Sequence, residues 1–432
     1  MAWFDEVTVT ETATSADSRF HGIDFRCSRF LRDATFTRAV FAGAANLFEA
    51  VARTWDFTDA HFDSVDPGPW IGETVNLSGT AFEQRGHLRI IAKSVSARRL
   101  RAVDGTHLSL SAAELDLTEA DFQGASTLNS YLLSEEGLIA GPISADGMAD
   151  YPHARPVREN AITQAEALTT QVNTVARQTT GCELDSLRRA AVAKLVITNV
   201  SLRHCRFADA SGLEQIRIGS ECLFHRPHGR LRTRRDMIAE EALWRESRSN
   251  HARPPHDVPS AGEIAAIYRS LRKSLEDTKN EPGAADFYYS EMEMRRNAAA
   301  PTPIERWLLH GYWAVSGYGL RASRALLTLA AVLILAACLY SQAPLAHIVT
   351  PARISAVNFD TGALVSTKQS TSPVSFPDAL EFAAQQSISL LWHPNTSITT
   401  GHWGTWIAWA LHLVCPGLLA LAVLALRARI KR

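Results

Sequence analysis

The residues that could carry out chemistry are few in this sequence, and none of them belongs to a catalytic motif. The 432-residue chain contains no GxxxxGK(S/T) phosphate loop, no GxSxG nucleophile elbow and no HExxH zinc motif. Its six cysteines form no CxxC pair, which is typical of buried small apolar residues. His251 and His256 lack the cysteine or carboxylate partners that would complete a metal site. We therefore expect no enzyme activity, no cofactor and no bound metal.

Four polar side chains stand out because they lie within or beside apolar segments near the C-terminal end of the chain. These candidate pore or gate residues are Ser387, Thr399, Thr400 and His412. An ionisable residue inside a membrane span is by default a functional candidate, so His412 suggests a pH-responsive gate. The alternative is a neutral imidazole that is hydrogen-bonded within the helix bundle.

Two long uncharged segments must position these residues. Residues 325–341 are dominated by Leu, Ala, Val and Ile, and residues 403–426 form a second run that only His412 and Pro416 interrupt. At about 1.5 Å of rise per residue, each can cross roughly 30 Å of hydrocarbon as a helix. We predict transmembrane helices at about 321–341 and 403–426.

Basic residues flank the two predicted spans and set their orientation. They are Arg306, Arg321 and Arg324 before the first span, and Arg427, Arg429, Lys431 and Arg432 after the second. Only Arg353 and Lys368 lie between the spans. Because cytoplasmic segments carry the excess of Lys and Arg, we expect a multi-pass plasma-membrane protein with both termini in the cytoplasm.

A period of five residues runs through the first half of the chain. Large apolar residues recur at this spacing at Phe20, Phe25, Phe30, Phe57, Phe62, Leu77, Phe82, Leu117, Phe122, Leu202 and Phe207. This period fits neither a helix nor a flat strand. A coil of square cross-section with one five-residue segment per side would satisfy it, with backbone groups pairing from coil to coil. A β-sandwich of short strands is the alternative.

Two segments carry the resemblance to a known family. Phe57-Thr-Asp-Ala-His-Phe62 and Leu117-Thr-Glu-Ala-Asp-Phe122 resemble the pentapeptide-repeat family, in which a small residue precedes the large apolar one by two positions. The resemblance implies a right-handed quadrilateral β-helix over about residues 17–223. The period is lost at about 135–190, where we expect a surface excursion with at least one helix formed by the polar run 159–177.

A helical region should follow the repeats. The basic stretch 228–235 is either a contact for anionic lipid headgroups or a solvated helix start. Ser260 and Glu263 have the spacing of a capping box, and residues 280–283 break the helix that begins there. Residues 268–273 and 285–296 resemble the cytoplasmic helical hairpin that precedes the membrane spans of bacterial pentapeptide-repeat membrane proteins.

In that family a two-helix segment resembling an ion-channel pore often follows the hairpin. Residues 376–392 occupy the place of a re-entrant pore helix between the two spans, with Pro377 in its first turn. The filter differs from the Thr-Val-Gly-Tyr-Gly type, because residues 393–401 contain Pro394 and only one glycine. We therefore predict a channel-like layout with a degenerate filter.

The predicted chain has a mixed fold in three parts: a β-solenoid over residues 1–223, a cytoplasmic helical hairpin region over 224–300 and a membrane domain over 301–432. A formal net charge of -1 gives no reason to expect nucleic acid as a partner. Our first hypothesis is a membrane-anchored scaffold whose solenoid binds protein partners or acts as a sensor. The alternative is a homo-oligomeric two-span ion channel, or a channel-derived sensor, gated by the cytoplasmic solenoid. The partners expected are therefore the lipid bilayer, one or more proteins and further copies of the chain.

Overall fold

The computed structural model comprises two compact units, Met1–Ala300 and Pro301–Arg432, each of which is described by itself. The structure describes the chain except for residues 1, 4–7, 10–12, 66–67, 131–154, 179–180, 227–234, 250–257, 299–301, 343–345, 350–353, 358–363, 367–370, 389–397 and 431–432. The first unit is a parallel β-solenoid followed by helices, and the second is mainly helical.

The solenoid is built from short strands that stack coil upon coil. In chain order they are β1 (Ala2–Trp3), β2 (Thr8–Val9), β3 (Ala13–Thr14), β4 (Arg19–Phe20), β5 (Ile23–Asp24), β6 (Arg29–Thr35), β7 (Val40–Asn46), β8 (Val51–Asp56), β9 (His61–Val65), β10 (Trp70–Ile71), β11 (Thr74–Asn76), β12 (Ala81–Phe82), β13 (Gly86–Ser96), β14 (Arg101–Ala102), β15 (Thr106–Asp116), β16 (Asp121–Phe122), β17 (Ser126–Ser130), β18 (Cys182–Ser186), β19 (Leu195–Thr198), β20 (Val200–Ser201) and β21 (Arg217–Ile218). They form two sheets, one with the path β1-β5-β7-β9-β12-β14-β16 and one with the path β2-β6-β8-β10-β13-β15-β17-β19-β21.

The register between coils explains the five-residue period. Strand β13 pairs in parallel with β15 so that Leu88 lies beside Leu108, and His107 Nδ1 lies 2.6 Å from Thr127 Oγ1, a separation of 20 residues. One coil therefore uses four five-residue segments in this part of the chain. The predicted parallel solenoid is confirmed, whereas its right-handed sense and its square cross-section stay predictions.

The large apolar side chains of successive coils stack inside the solenoid. The Phe41 and Phe62 rings lie 4.4 Å apart and the Phe62 and Phe82 rings 5.4 Å apart. The structure buries Phe25, Phe30, Phe57, Phe62, Leu77, Phe82, Leu117, Phe122, Leu202 and Phe207, and it leaves Phe20 partly buried against the same core. Because each ring contacts those of the coils above and below, the core is a continuous aromatic column in the first coils.

A column of left-handed residues marks one corner of the coils. Its non-glycine members are Asp17, Arg38, Asp59, Arg99, Glu119, Arg189 and Asp209, with φ from 55° to 61°. Neighbours of opposite charge pair between coils: Arg38 bonds Asp17 at 2.6 Å, and Arg189 lies 2.8 Å from Glu119. Gly79 occupies the same column, where a Cβ would lie 2.0 Å from Asp59 Oδ1. Charge complementarity thus accompanies the coil register at this corner.

The inserted segment leaves the solenoid after β17 and returns at β18. The Cys182 amide donates a hydrogen bond of 3.0 Å to Ser130 Oγ, which joins the two ends of the insertion. The excursion predicted at about 135–190 ends earlier than expected, because Cys182 and Leu184 already lie in the core. Helix α1 (Arg155–Gln178) confirms the expected helix within the insertion.

Helix α1 covers an apolar ladder on the outside of the solenoid. Val51, Ile71 and Ile91 are one coil apart and form a buried cluster with Leu168 of α1, with Leu31 packed beside them. Their strand neighbours Ala50, Ala52, Ile90 and Ala92 belong to the main core, so alternation places the ladder on the opposite face. The insertion therefore shields apolar surface that would otherwise meet water.

Three helices close the C-terminal end of the solenoid: α2 (Ala239–Ser249), α3 (Ala261–Asp277) and α4 (Glu281–Asn297). The predicted capping box is confirmed, since Glu263 N donates to Ser260 Oγ and Ser260 N donates to the Glu263 carboxylate at 2.7 Å. Buried residues of α3 and α4, including Tyr268 and Phe287, belong to the same hydrophobic cluster as the solenoid core. The helices thus cap the open end of the stack, where the last coil has no further coil to pair with.

The second unit contains α5 (Pro303–Ser316), α6 (Ala322–Tyr340), α7 (Phe376–Ile388) and α8 (His402–Ile430). Its strands are β22 (Ala346–Val349), β23 (Ile354–Val357), β24 (Leu364–Ser366), β25 (Thr371–Pro373) and β26 (Ile398–Thr400). Two of its helices, α6 and residues His402–Leu426 of α8, are long and apolar enough to cross a membrane. Their bounds agree with the predicted spans within a few residues.

Helix α7 packs against both of these apolar helices. The Tyr340 ring of α6 lies 5.2 Å from the Phe382 ring of α7, and its hydroxyl donates to Gly404 O of α8 at 3.3 Å. The helix ends at Ile388, and the last four residues of the predicted pore-like segment 376–392 lie outside the described residues. Tyr340 and Phe382 thus join three helices into one small core.

Candidate interaction surface at the capped end of the solenoid

Two grooves lie where helix α3 crosses the last coils of the solenoid. The first has a volume of about 420 Å³ and lies between residues near Phe207 and the first turns of α3. The second, of about 890 Å³, lies between residues near Arg217 and the last turns of α3. Ser274 Oγ of α3 donates a hydrogen bond to Ile216 O, which holds the helix on the coil beside the second groove. Both grooves are concave surfaces at the capped end of the solenoid.

The two grooves differ in the charges that line them. The first groove is lined by Arg188, Asp209 and Glu263 among apolar residues such as Leu213. The second groove is lined by three basic side chains, Lys194, Arg217 and Lys273, and by the carboxylates of Glu214 and Asp277. The second groove therefore has the larger share of basic side chains and suits a segment with an acidic group.

A buried ion network fixes the helices that form these grooves. Glu241 of α2 accepts hydrogen bonds from Arg235 at 2.5 Å, from Arg245 at 2.7 Å and from the Tyr268 hydroxyl of α3. The Tyr268 oxygen in turn accepts the Ile238 amide at 3.0 Å. Burial opposes the ionisation of Glu241, but the two guanidinium groups outweigh it and hold its pKa below the ordinary value.

Arg235 shows that the basic stretch 228–235 does not act as one surface. This arginine is almost fully buried and pairs with Glu241 and Glu293, so its side chain does not contact lipid headgroups. Residues 227–234 lie outside the described residues, and the headgroup interpretation of their basic side chains stays a prediction. Arg235 is not solvated either, so neither alternative describes it: its charge is neutralised by carboxylates in a buried site.

Glu240 lies beneath the first groove. One of its carboxylate oxygens accepts the amide of Phe207 and, at 2.9 Å, that of Ala208, and both residues line the groove. Its other oxygen is buried and has no hydrogen-bond partner among the described residues. Burial raises the pKa of Glu240 from 4.5 to about 7, and the two amides and Arg206 only partly oppose this shift. The groove floor thus rests on a carboxyl group that titrates near neutral pH.

Sequence reasoning did not single out Glu240 or Glu241. The signal available was a pair of carboxylates directly after the apolar residues Met237, Ile238 and Ala239, in the first turn of a helix. Acidic residues are common at that position because of the helix dipole, so the pattern alone indicates an exposed helix start. Their burial depends on the packing of α2 between the last coil and α3, which no local pattern encodes.

The four candidate pore or gate residues lie on three elements of the second unit. Ser387 of α7 donates within its own helix to Ala384 O at 2.6 Å. Thr399 and Thr400 lie in β26, which pairs antiparallel with β22 through His347 and Ala346. His412 lies half-buried in α8. The two threonines therefore lie in the edge strand of a three-stranded sheet.

Metal ligands are absent from the described part of the chain, where no group of three or more His, Cys, Asp or Glu residues could hold an ion. Comparison with protein-family models, with curated proteins and with solved structures finds no match to this chain. The function must therefore be argued from the fold and from the surfaces of the two units.

Proposed function

We propose that this chain is a membrane-anchored repeat scaffold whose solenoid unit binds a protein partner on the cytoplasmic side. The fold fits such a protein, because a capped β-solenoid and two helices able to span a membrane lie in separate units. Solenoids present long, regular surfaces to other proteins. The grooves on either end of α3 are the candidate docking region on this unit.

The observation that carries the proposal is the exposure of large apolar side chains on α6 and α8. Leu327, Trp409 and Leu413 are between 70% and 81% exposed. A helix surface of this kind is unfavourable in water and favourable in hydrocarbon. The basic residues that flank the spans support an orientation with both termini in the cytoplasm.

The membrane part of the proposal is tested by fractionation and topology mapping of the full chain. We expect the protein to stay in the membrane pellet after alkaline carbonate extraction. A reporter domain that is active only in the cytoplasm should be active when it is fused to either terminus. Release into the soluble fraction would contradict the membrane anchor, and termini on opposite sides would contradict the two-span topology.

The partner part of the proposal is tested by crosslinking at the grooves. A photoreactive amino acid replaces Lys273, which lines the second groove, in cells that express the full chain. The control carries the same amino acid in place of Arg85, an exposed residue on the side of the solenoid. We expect a discrete protein adduct from position 273 that position 85 does not give. Equal adducts at both positions would contradict a specific docking region.

A second candidate function is an oligomeric channel. Its support is the packing of α7 against both α6 and α8, the arrangement that a pore helix needs between two spans. Against it, Thr399 and Thr400 lie in β26, the edge strand of a three-stranded sheet, whereas a potassium-type filter is a loop of successive carbonyls that face ions.

Ion flux into liposomes that contain the full chain separates the two functions. The matched control carries a scrambled segment 376–400. Flux that the scramble abolishes, together with a symmetric ring of subunits, would establish a channel. A correctly inserted monomer without flux would leave the scaffold function and exclude the pore.

A further inference from the structure

Helix α5 presents a stripe of apolar side chains to its surroundings. Ile304, Trp307 and Leu308 are 74%, 79% and 68% exposed, although they are among the most apolar residues of the helix. At about 100° per residue they fall within one arc of the helix surface together with Gly311. We call these four residues the α5 stripe.

The other sides of α5 have different surroundings. Leu309 and Ser316 are buried. Arg306 and His310 are also exposed, but their side chains are polar. The helical periodicity places them on a different arc of the helix surface from the α5 stripe. The helix therefore has a packed side, a polar exposed side and an apolar exposed side, which is the pattern of an interfacial helix.

A short turn ties α5 to α6. Gly317 ends α5 in the left-handed conformation, and the Gly319 amide donates to Ser316 Oγ at 3.1 Å. Thr328 Oγ1 of α6 donates back to Val315 O at 3.2 Å, and Arg324 donates to Trp313 O at 3.3 Å. These bonds fix the direction of α5 relative to the first turn of α6.

We propose that α5 lies in the headgroup region of the bilayer, with the α5 stripe buried among the upper acyl chains where α6 enters the membrane. The lipid surface is the partner because only the short turn 317–321 separates α5 from α6, a helix that is able to span. Arg306 lies on the exposed polar side, and Arg321 and Arg324 flank the turn, so the charge at this level complements anionic lipid headgroups. The inference rests on the proposed function in one respect, since α6 must be a membrane span.

The test uses the full chain in vesicles of phosphatidylcholine and phosphatidylglycerol. A benzophenone amino acid replaces Leu308 in one variant and His310 in a second, so the probe lies on the same helix but on different arcs. A third variant carries it in place of Leu335, an exposed residue of α6. After irradiation, lipid adducts are quantified by mass spectrometry of the labelled peptides.

We expect lipid adducts at 308 and 335, several-fold more abundant than at 310. Adducts at 335 without adducts at 308 would overturn the inference while leaving the membrane anchor intact. Adducts from 308 to a second copy or to another protein would also overturn it, because the stripe would then be a protein interface. Lipid adducts at neither 308 nor 335 would contradict the proposed function and the inference with it.

Discussion

The two units place the same kinds of residue in opposite environments. In the solenoid Trp55, Phe57 and Trp70 are fully buried, whereas Trp409 and Leu413 of α8 are 72% and 81% exposed. Both units keep their backbone groups paired, from coil to coil in the first and within helices in the second. The difference shows that the first unit holds its apolar groups away from water, whereas the second leaves apolar helix surface exposed, which is the kind of surface that a hydrocarbon solvent favours.

The comparison predicts that equivalent truncations have unequal effects in the two units. Phe57→Ala removes a ring that contacts those of Phe36, Trp55 and Phe62, and we expect a loss of about 4 kcal/mol in the free energy of unfolding. If α8 spans the membrane as proposed, Leu413→Ala only changes which side chain contacts lipid, so the free energy of unfolding should change by less than about 1 kcal/mol. Urea unfolding of the full chain in detergent micelles, followed by pulse proteolysis, measures both.

The matched control is Phe48→Ala, since Phe48 is 39% exposed on the surface of the same unit. Phe48→Ala should lower the free energy of unfolding by much less than Phe57→Ala does. If Leu413→Ala destabilises the protein as much as Phe57→Ala does, α8 is a core helix of a water-soluble protein. The two units would then not differ in how they accommodate their apolar side chains.

A second prediction concerns charge inside the first unit. Glu241→Gln removes the anion that compensates Arg235 and Arg245, and Arg235 is only 5% exposed. Leaving a buried guanidinium without its full counter-charge should lower the free energy of unfolding by about 3 kcal/mol. Glu246→Gln, in the same helix but exposed, is the control and should have little effect. If the two substitutions lowered the free energy of unfolding equally, water would have to reach Arg235 and Glu241 between the helices that cap the solenoid.

A third prediction is a pH dependence that arises from Glu240. Because its pKa is raised from 4.5 to about 7 in the folded protein, folding favours the protonated form. This contribution to stability is fully present below about pH 4.5 and is lost as the pH rises through about 7. Between pH 5 and 7 we expect it to decrease by about 2 kcal/mol. Urea unfolding at pH 5, 6, 7 and 8 measures the change.

The variant Glu240→Gln keeps a carbonyl oxygen for the Phe207 and Ala208 amides but does not titrate in this range. The difference between the wild-type and variant stabilities should therefore depend on pH, with the variant favoured at pH 8. Parallel pH profiles would show that the carboxyl group is solvated, and that the floor of the first groove is open to water. Asp185, whose pKa burial also raises, to about 6, contributes equally to both proteins and cancels in the difference.

The sequence predicted those features of the fold that repeat or that extend over many residues. Phe57 and Phe62 mark the five-residue period, and the uncharged runs around Leu327 and Leu413 mark the apolar helices. The 20-residue spacing of Val51, Ile71 and Ile91 is also visible in the sequence. It does not predict a buried ladder, because the sequence does not show that helix α1 packs over these residues. The candidate site depends on contacts between residues far apart, such as Glu240 with Phe207, and no local spacing indicates them.

The smallest expected effect concerns the packing of helix α1 on this ladder. Leu168→Ala shortens the side chain of α1 that packs on Val51, Ile71 and Ile91. We expect a loss of about 1.5 kcal/mol in the free energy of unfolding, because part of the apolar surface that Leu168 covers returns to water. The loss should be local, so hydrogen exchange should speed up in α1 while β8 and β13 stay protected. Glu166→Ala, on the exposed side of α1, is the control. Faster exchange throughout the solenoid would show instead that α1 is part of its core, and that the first unit keeps apolar groups from water by its coils and its insertion together.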